Sequence, residues 1–338
     1  MNGQTWTNTR AETSEQVGEY LLEVRNLKKY FPITAGLLRH TTGYVKAVDD
    51  VSFHLRPGET LGIVGESGCG KSTTGRMIMR VLEPTSGQIV FDGQDITDLR
   101  GRALREIRPK FQMVFQDPYA SLNPKMAVGE IIGEPLAVNH MGSRQQVEQR
   151  VVDLLETVGL RAEDRNRYPH EFSGGQRQRI GIARALSANP KLIVADEAVS
   201  ALDVSIQSQI LNLMVALRKE FNLSYIFISH NLAVVRHISD RVGVMYLGHL
   251  VEMGPKGELY RHPLHPYTEA LLSAAPEPKR VGRRERIILQ GDVPNPANPP
   301  QGCPFHTRCA KVMDICRIQR PELQEHVGGH FVACHLYS

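Results

Sequence analysis

The sequence lacks any long apolar run. In its 338 residues the longest stretches without Asp, Glu, Lys or Arg, such as 221–235, are about fifteen residues and still contain Asn, Ser and His. A membrane-spanning helix needs about 20 mostly apolar residues, so none is expected. The polar N-terminus has no basic segment followed by an apolar one. We therefore expect no signal peptide and a chain that stays in the cytosol.

The sequence also has only a small excess of positive over negative charge. Lys and Arg number 40 and Asp and Glu 36, which gives a formal net charge of +4, and 22% charged with 41% hydrophobic residues is an ordinary globular composition. This balance excludes a disordered chain and supports an anionic partner only weakly. The length exceeds that of a usual single domain, so we expect one large domain with an appendage, or two domains.

Strand and helix signals alternate from Leu21 onward. The short apolar run 60–64 precedes a Gly-rich turn, and 72–82 has a helical pattern. Four further runs are short enough to be buried strands, at 111–115, 192–195, 225–228 and 242–246. This alternation predicts an α/β fold with a mostly parallel sheet and helices on both faces.

Residues 65–72, Gly-Glu-Ser-Gly-Cys-Gly-Lys-Ser, match the phosphate-binding pattern G-x-x-x-x-G-K-S/T between a predicted strand and a predicted helix. The glycines let backbone N–H groups turn toward phosphate oxygens, and the helix N-terminus adds a positive partial charge. Lys71 is expected at the β- and γ-phosphates and Ser72 at Mg²⁺. The residues expected to bind ATP here are Gly65, Glu66, Ser67, Gly68, Cys69, Gly70, Lys71, Ser72 and Thr73.

Two interpretations of Cys69 are open. A thiol at a helix N-terminus can have a lowered pKa and be reactive. Alternatively, Cys69 is a small side chain in a loop whose backbone binds the nucleotide.

Two further motifs carry chemistry. The apolar run at 192–195 ends in Asp196 and Glu197, where one carboxylate can hold Mg²⁺ and the other can act as general base for an attacking water. Ser173 is followed by Gly-Gly-Gln and a helical pattern, which predicts a helix capped by Ser173 and a second anion-binding helix start.

With these motifs in order, the chain resembles the ATP-binding subunits of ABC transporters over 21–338. The resemblance implies a P-loop ATPase core in which Gln116 is the Q-loop, His230 the switch histidine and Tyr30 the aromatic that stacks on adenine. Its signature motif and D-loop correspond to Ser173, Gly174, Gly175, Gln176 and Asp203. Ala198 and Asn231 depart from the residues usual in the family.

The resemblance also implies roles for these residues. Glu197, His230 and Gln116 would be catalytic, and Mg²⁺ would be held by Ser72, Gln116 and Asp196. Two ATPase chains would sandwich two ATP molecules, with each signature motif completing the site of the facing chain and Asp203 communicating across the dimer.

Residues 116–124, 168–176 and 265–272 resemble the ATPases of oligopeptide and dipeptide importers, most of all the F-type subunits. This implies ATP hydrolysis that energises peptide import from the cytoplasmic face of the bacterial inner membrane, as a peripheral protein. The implied partners are a D-type ATPase, two membrane permeases docking near 118–134 and, indirectly, a peptide-binding protein, with no nucleic acid. Alternatives are another cargo, such as a nickel chelate or glutathione, or a soluble ABC ATPase acting on nucleic acid or ribosomes.

Four cysteines crowd the last 36 positions: Cys303, Cys309, Cys316 and Cys334. In a cytosolic chain such a cluster favours a metal site over a disulfide framework. Separations of five, six and seventeen residues lack the close pairs of zinc sites and are compatible with a 4Fe–4S cluster, to which the resemblance also points. Zinc, free thiols or a disulfide are alternatives. A histidine could replace a cysteine, the candidates being His306, His330 and His335.

These patterns divide the chain into three parts. We expect a disordered leader at 1–20, a nucleotide-binding domain at 21–257 with a helical subdomain at about 117–175, and a cysteine-rich extension at 258–338. Helical patterns at about 128–137 and 144–158 mark the subdomain, and prolines at 294, 296, 299 and 300 indicate a semi-rigid connector before the cysteines.

Overall fold

The structure of the protein is a computed structural model that describes residues 19–35, 40–274 and 287–338. The strands are β1 (Leu22–Ala35), β2 (His40–Leu55), β3 (Thr60–Val64), β4 (Ser86–Phe91), β5 (Gln94–Asp95), β6 (Phe111–Val114), β7 (Leu192–Asp196), β8 (Ser224–Ile228), β9 (Arg241–Tyr246), β10 (His249–Pro255), β11 (Gln324–Val327) and β12 (His330–Val332). The helices are α1 (Lys71–Ile78), α2 (Gly101–Ile107), α3 (Val128–Val138), α4 (Arg144–Thr157), α5 (Gly174–Leu186), α6 (Val204–Phe221), α7 (Leu232–Ile238), α8 (Lys256–Arg261), α9 (Pro266–Ala274) and α10 (Ile315–Ile318). The leader predicted at 1–20 lies outside the described residues, apart from Glu19 and Tyr20.

The larger sheet has the strand order β11-β12-β10-β9-β3-β8-β7-β6. The five strands from β9 to β6 pair in parallel, whereas β10, β12 and β11 continue the sheet in antiparallel fashion. The predicted α/β fold and its parallel strands are therefore confirmed. Because the carboxyl ends of parallel strands meet at one edge, the loops after β3, β6, β7 and β8 come together there.

Both faces of the parallel strands are covered. In β3, Leu61 and Ile63 point into one apolar cluster, and Val64 points into the other. All residues of β3, β7 and β8 are buried. This burial explains why these strands read as continuous apolar runs in the sequence rather than as alternating ones.

A smaller antiparallel sheet, ordered β2-β1-β4-β5, lies beside the larger one. Leu22 and Val24 of β1 and Val51 of β2 bury their side chains in the cluster that also contains Leu61 and Ile63. This sheet carries Tyr30 on β1.

Helices α3, α4 and α5 pack against one another between β6 and β7 in the chain. α3 and α4 lie where the sequence predicts helices. Helix α4 begins where Ser143 accepts a hydrogen bond from the Gln146 backbone, and Gln146 reaches back to the Ser143 N–H. This reciprocal cap gives the helix a defined start.

The C-terminal part of the chain is built onto the larger sheet. Strand β12 pairs with β10, and the side chains of Cys303, Phe305 and Cys316 are buried in the same apolar cluster as Val64. No helix in the described ranges is both long and apolar enough to span a membrane.

Gly62, in the middle of β3, provides a test of the packing of α7 on the sheet. A Cβ at this position would lie 2.3 Å from Val235 Cγ1 and 2.4 Å from Ser239 Oγ. Because close-packed cores tolerate added volume poorly, we expect Gly62→Ala to cost about 1–3 kcal/mol of stability. Calorimetry of the full chain should show a thermal unfolding midpoint several degrees lower.

Gly181→Ala is the matched control. Gly181 lies inside α5, and a Cβ there would meet no described heavy atom within 4 Å beyond its chain neighbours and the backbone of its own helix. Since alanine is the better helix former, the midpoint should be unchanged or higher. A Gly62→Ala protein that unfolds at the wild-type temperature would contradict the packing.

Candidate functional site

The P-loop, residues 65–72, holds a buried lysine at the carboxyl end of β3. Lys71 Nζ donates to the carbonyl oxygens of Gly65 at 2.8 Å and Glu66 at 2.9 Å. Among the described residues no carboxylate pairs with this ammonium, whose residue is 4% exposed. Gly70 has φ of +103°, and a Cβ there would lie 2.2 Å from the Ala47 carbonyl oxygen. A buried cation without an anionic partner, in a loop that only glycine allows, fits a bound phosphate.

Ser72 and Asp196 bring two oxygens together beside the P-loop. Ser72 Oγ donates to Asp196 Oδ1 at 2.7 Å. Burial raises the pKa of Asp196, while the Ser72 hydrogen bond lowers it. A hydroxyl and a carboxylate oxygen are ligands that Mg²⁺ accepts together with phosphate oxygens, so this pair fits the expected ion.

The Glu197 side chain contacts the predicted Q-loop glutamine, Gln116, and the predicted switch histidine, His230. Gln116 Nε2 donates to Glu197 Oε2 at 3.0 Å, and His230 Nδ1 lies 3.3 Å from Glu197 Oε1. The glutamate has a left-handed backbone, with φ of +50°, and its N–H donates to the Ile228 carbonyl at 2.9 Å. This conformation is uncommon for a residue other than glycine, and it fixes the backbone direction at Glu197.

The residues of the signature motif and D-loop start two helices. Ser173 caps α5 by accepting from the Gln176 N–H at 3.4 Å, and Asp203 caps α6 by accepting from the Ile206 N–H at 3.0 Å. The predicted N-cap at Ser173 is confirmed. In the described part of the chain, the hydrogen bonds of Ser173, Gln176 and Asp203 do not reach the P-loop of the same chain.

Tyr30 and Asn231 each have a defined local partner. The Tyr30 hydroxyl donates to Asp49 Oδ1 at 2.6 Å, and the Lys46 ammonium lies 5.6 Å from the Tyr30 ring centroid. The role of Tyr30 at adenine stays a prediction. Asn231 accepts from the Ala233 and Val234 N–H groups, so the family departure at this position caps α7.

Cys69 is a buried side chain within the P-loop. Its residue is 4% exposed, and Sγ lies 3.7 Å from Lys71 Nζ. Burial raises the pKa of the Cys69 thiol, and this effect outweighs the lowering by Lys71. Burial therefore favours the interpretation of Cys69 as a small side chain in the loop over the reactive interpretation.

The expected metal site at Cys303, Cys309, Cys316 and Cys334 is also wrong. Within 19–35, 40–274 and 287–338, no group of three or more His, Cys, Asp or Glu side chains is arranged to hold a metal ion. This removes both the 4Fe–4S cluster and the zinc alternative, with or without a histidine ligand. All four cysteines are free thiols, and burial raises the pKa of Cys303 to about 11. A buried thiol without a metal behaves as a small apolar side chain.

Sequence reasoning missed the residues that hold the P-loop from the far end of the chain. Tyr267 Oη accepts from the Glu66 N–H at 2.9 Å, and Arg308 forms two hydrogen bonds with the Glu66 carboxylate. The His265–Tyr267 segment was noted only for its family resemblance. Arg308 is 242 positions from Glu66, so no local pattern could reveal the pair.

Comparisons with known proteins identify two families in the chain. Residues 48–200 match the family described as ABC transporter. Residues 251–316 match the family described as oligopeptide/dipeptide transporter, C-terminal region. Together they include the P-loop, Asp196, Glu197, Tyr267 and Arg308.

The curated relatives are similar over nearly their whole length. The oligopeptide transport ATP-binding protein AppF of Bacillus subtilis (strain 168) is 60% identical over 95% of this chain and 98% of its own. The dipeptide transport ATP-binding protein DppF of Haemophilus influenzae is 52% identical over 93% of this chain and 96% of its own. Among solved structures, the dimeric ATP-binding cassette MJ0796 in a post-hydrolysis state bound to ADP and Pi has a TM-score of 0.62 and 28% identity, covering 70% of this chain and 98% of that one.

Replacing Cys69 tests whether its side chain matters for the nucleotide. Because the expected phosphate contacts are backbone N–H groups, we expect Cys69→Ser to keep ATP affinity within about threefold of wild type. Titration calorimetry of the full chain measures this affinity, and Lys71→Ala serves as the variant expected to lose binding. A loss of more than about tenfold in a folded Cys69→Ser protein would show that the thiol itself is required.

Proposed function

Because this chain belongs to the ATP-binding proteins of oligopeptide and dipeptide ABC transporters, we propose that it hydrolyses ATP to power peptide import. The observation that carries the proposal is the convergence of Gln116, Glu197 and His230 beside the P-loop in a chain 60% identical to an oligopeptide transport ATP-binding protein. The mixed α/β cassette fold supports the same activity.

Lys71 is the residue proposed to bind the β- and γ-phosphates of ATP. Its ammonium is held by two backbone carbonyls, which phosphate oxygens can replace with a stronger electrostatic attraction. Ser72, Asp196 and Gln116 would hold Mg²⁺, which supplies positive charge against the phosphates. Tyr30 would stack on adenine.

Glu197 is the proposed general base. Its carboxylate would accept the proton of the attacking water, while Gln116 and His230 keep it oriented by their contacts at 3.0 and 3.3 Å. His230 would also hydrogen-bond the γ-phosphate. The left-handed backbone of Glu197 supports this role because it fixes the direction of the side chain.

A second ATPase subunit, of D type, is proposed to complete the site. The start of α5, from Ser173 to Gln176, offers backbone N–H groups and a positive partial charge to an anion from outside its own chain. Asp203, at the start of α6, would communicate between the two sites. The dimer described for the similar MJ0796 cassette supports an arrangement of two cassettes.

The proposed location is the cytoplasmic face of the bacterial inner membrane. Two membrane permeases would bind the chain near 118–134, and a peptide-binding protein would deliver cargo on the opposite side. Tyr119 in this stretch is 64% exposed and lies over the guanidinium of Arg177, at 3.8 Å from the ring centroid. An exposed aromatic side chain held in this way suits a protein contact.

The cargo is tested with the intact transporter in proteoliposomes together with its binding protein. We expect ATP-dependent accumulation of labelled di- or oligopeptides. Uptake of a nickel chelate or glutathione in place of peptides would contradict the proposed cargo. Binding of the chain to ribosomes or DNA, with no permease, would contradict the importer itself.

Glu197→Gln tests the proposed base. The variant should bind ATP within about threefold of wild type and lower turnover by about 100-fold or more, because proton transfer contributes at least that much. Turnover is measured in a transporter whose companion ATPase already carries the equivalent replacement, so that the remaining activity belongs to this chain.

Glu220→Gln is the matched control, since Glu220 is exposed at the end of α6 and far along the helix from Asp203. It should leave turnover unchanged. Equal turnover of the Glu197→Gln and wild-type chains in this background would overturn the general-base assignment.

A further inference from the structure

The C-terminal segment, which we define as residues 287–338, contacts the P-loop through Arg308. Arg308 Nη1 lies 2.7 Å from Glu66 Oε2, and Nη2 lies 3.2 Å from Glu66 Oε1. Two such parallel hydrogen bonds fix orientation as well as distance. The Arg308 side chain is 8% exposed, so water screens the pair only weakly.

A second contact holds the backbone of Glu66. Its N–H donates to Tyr267 Oη, and its carbonyl accepts from Lys71 Nζ, each at 2.9 Å. The Tyr267 ring packs on Tyr246 and Phe305, with centroids 4.7 and 5.4 Å away. Glu66 therefore contacts both Arg308, through its carboxylate, and Lys71, through its backbone carbonyl.

The same segment contacts the opposite end of the site through Arg320. Arg320 Nη2 lies 2.9 Å from Asp50 Oδ2, and Nη1 lies 3.8 Å from Asp49 Oδ2. Asp49 is the acceptor of the Tyr30 hydroxyl. Burial and the nearby arginine lower the pKa of His249 to about 4, so at neutral pH Arg320 is the positive partner of the two aspartates.

We propose that Arg308 and Arg320 are positioning residues for the nucleotide, Arg308 at its phosphate end and Arg320 at its base end. This rests on the proposed roles of Lys71 and Tyr30. Arg308 acts through Glu66 on the P-loop, and Arg320 acts through Asp49 on the Tyr30 ring. Because Arg320 is 40% exposed, its effect is the smaller of the two.

Tripolyphosphate has the phosphates of ATP but no adenine, so it separates the proposed role of Arg308 from that of Arg320. The full chain and its variants Arg308→Met and Arg320→Met are titrated calorimetrically with Mg·ATP and with Mg·tripolyphosphate. Arg317→Met is the matched control, because Arg317 is exposed on the same segment and its side chain has no ion pair with a described residue.

Arg308→Met should weaken ATP and tripolyphosphate together, each by about tenfold, as expected for loss of a charge-assisted contact. Arg320→Met should weaken ATP by about threefold and leave tripolyphosphate unchanged. Arg317→Met should change neither. The inference is overturned if both test variants match Arg317→Met, or if Arg320→Met weakens the two ligands equally.

Two further measurements separate positioning from folding. Arg308→Lys keeps the charge but not the paired geometry, so it should recover only part of the tenfold loss. Glu66→Gln, which removes the other partner, should reproduce the Arg308→Met effect at an unfolding midpoint close to wild type, and wild-type affinity would contradict the role. If the wild-type chain itself bound no ATP, the proposed function would fail before any variant was compared.

Discussion

The contact between the Lys71 ammonium and the carbonyls of Gly65 and Glu66 is the interaction on which the site depends. Through this contact the P-loop surrounds a buried positive charge. The next residue, Ser72, lies beside Asp196 and donates a hydrogen bond to it. The charge is satisfied by dipoles rather than by a carboxylate, which leaves it available to phosphate.

The C-terminal part of the chain belongs to the same unit as the P-loop. Buried Glu252 on β10 accepts from the Leu264 and His265 N–H groups and contacts His330 Nε2 at 2.7 Å. Burial lowers the pKa of His265 to about 4, and its neutral ring accepts from the Tyr267 N–H. Burying a carboxylate without partners costs free energy, so these contacts fix the position of the start of α9. The same contacts therefore place the Tyr267 hydroxyl beside Glu66.

Sequence alone could predict what depends on local order. The P-loop, the strands around it and the Ser173 cap each follow from residues within a few positions of one another. Long-range pairs such as Arg308 with Glu66 could not be predicted, because each partner is an ordinary surface residue type. The cysteines were misjudged for a related reason. Spacing along the chain does not establish ligand geometry, and in the described residues no group of three or more potential ligands is arranged to hold a metal ion.

We infer that the P-loop and the C-terminal segment together build one nucleotide site. The most direct measurement is a crystal structure of the chain with Mg²⁺ and a non-hydrolysable ATP analogue. In that structure we expect Lys71 to contact phosphate oxygens in place of the two carbonyls and Tyr30 to lie on adenine. We expect the Arg308–Glu66 and Arg320–Asp50 pairs to stay formed. A nucleotide bound with either arginine released from its carboxylate, or bound away from Lys71, would contradict it.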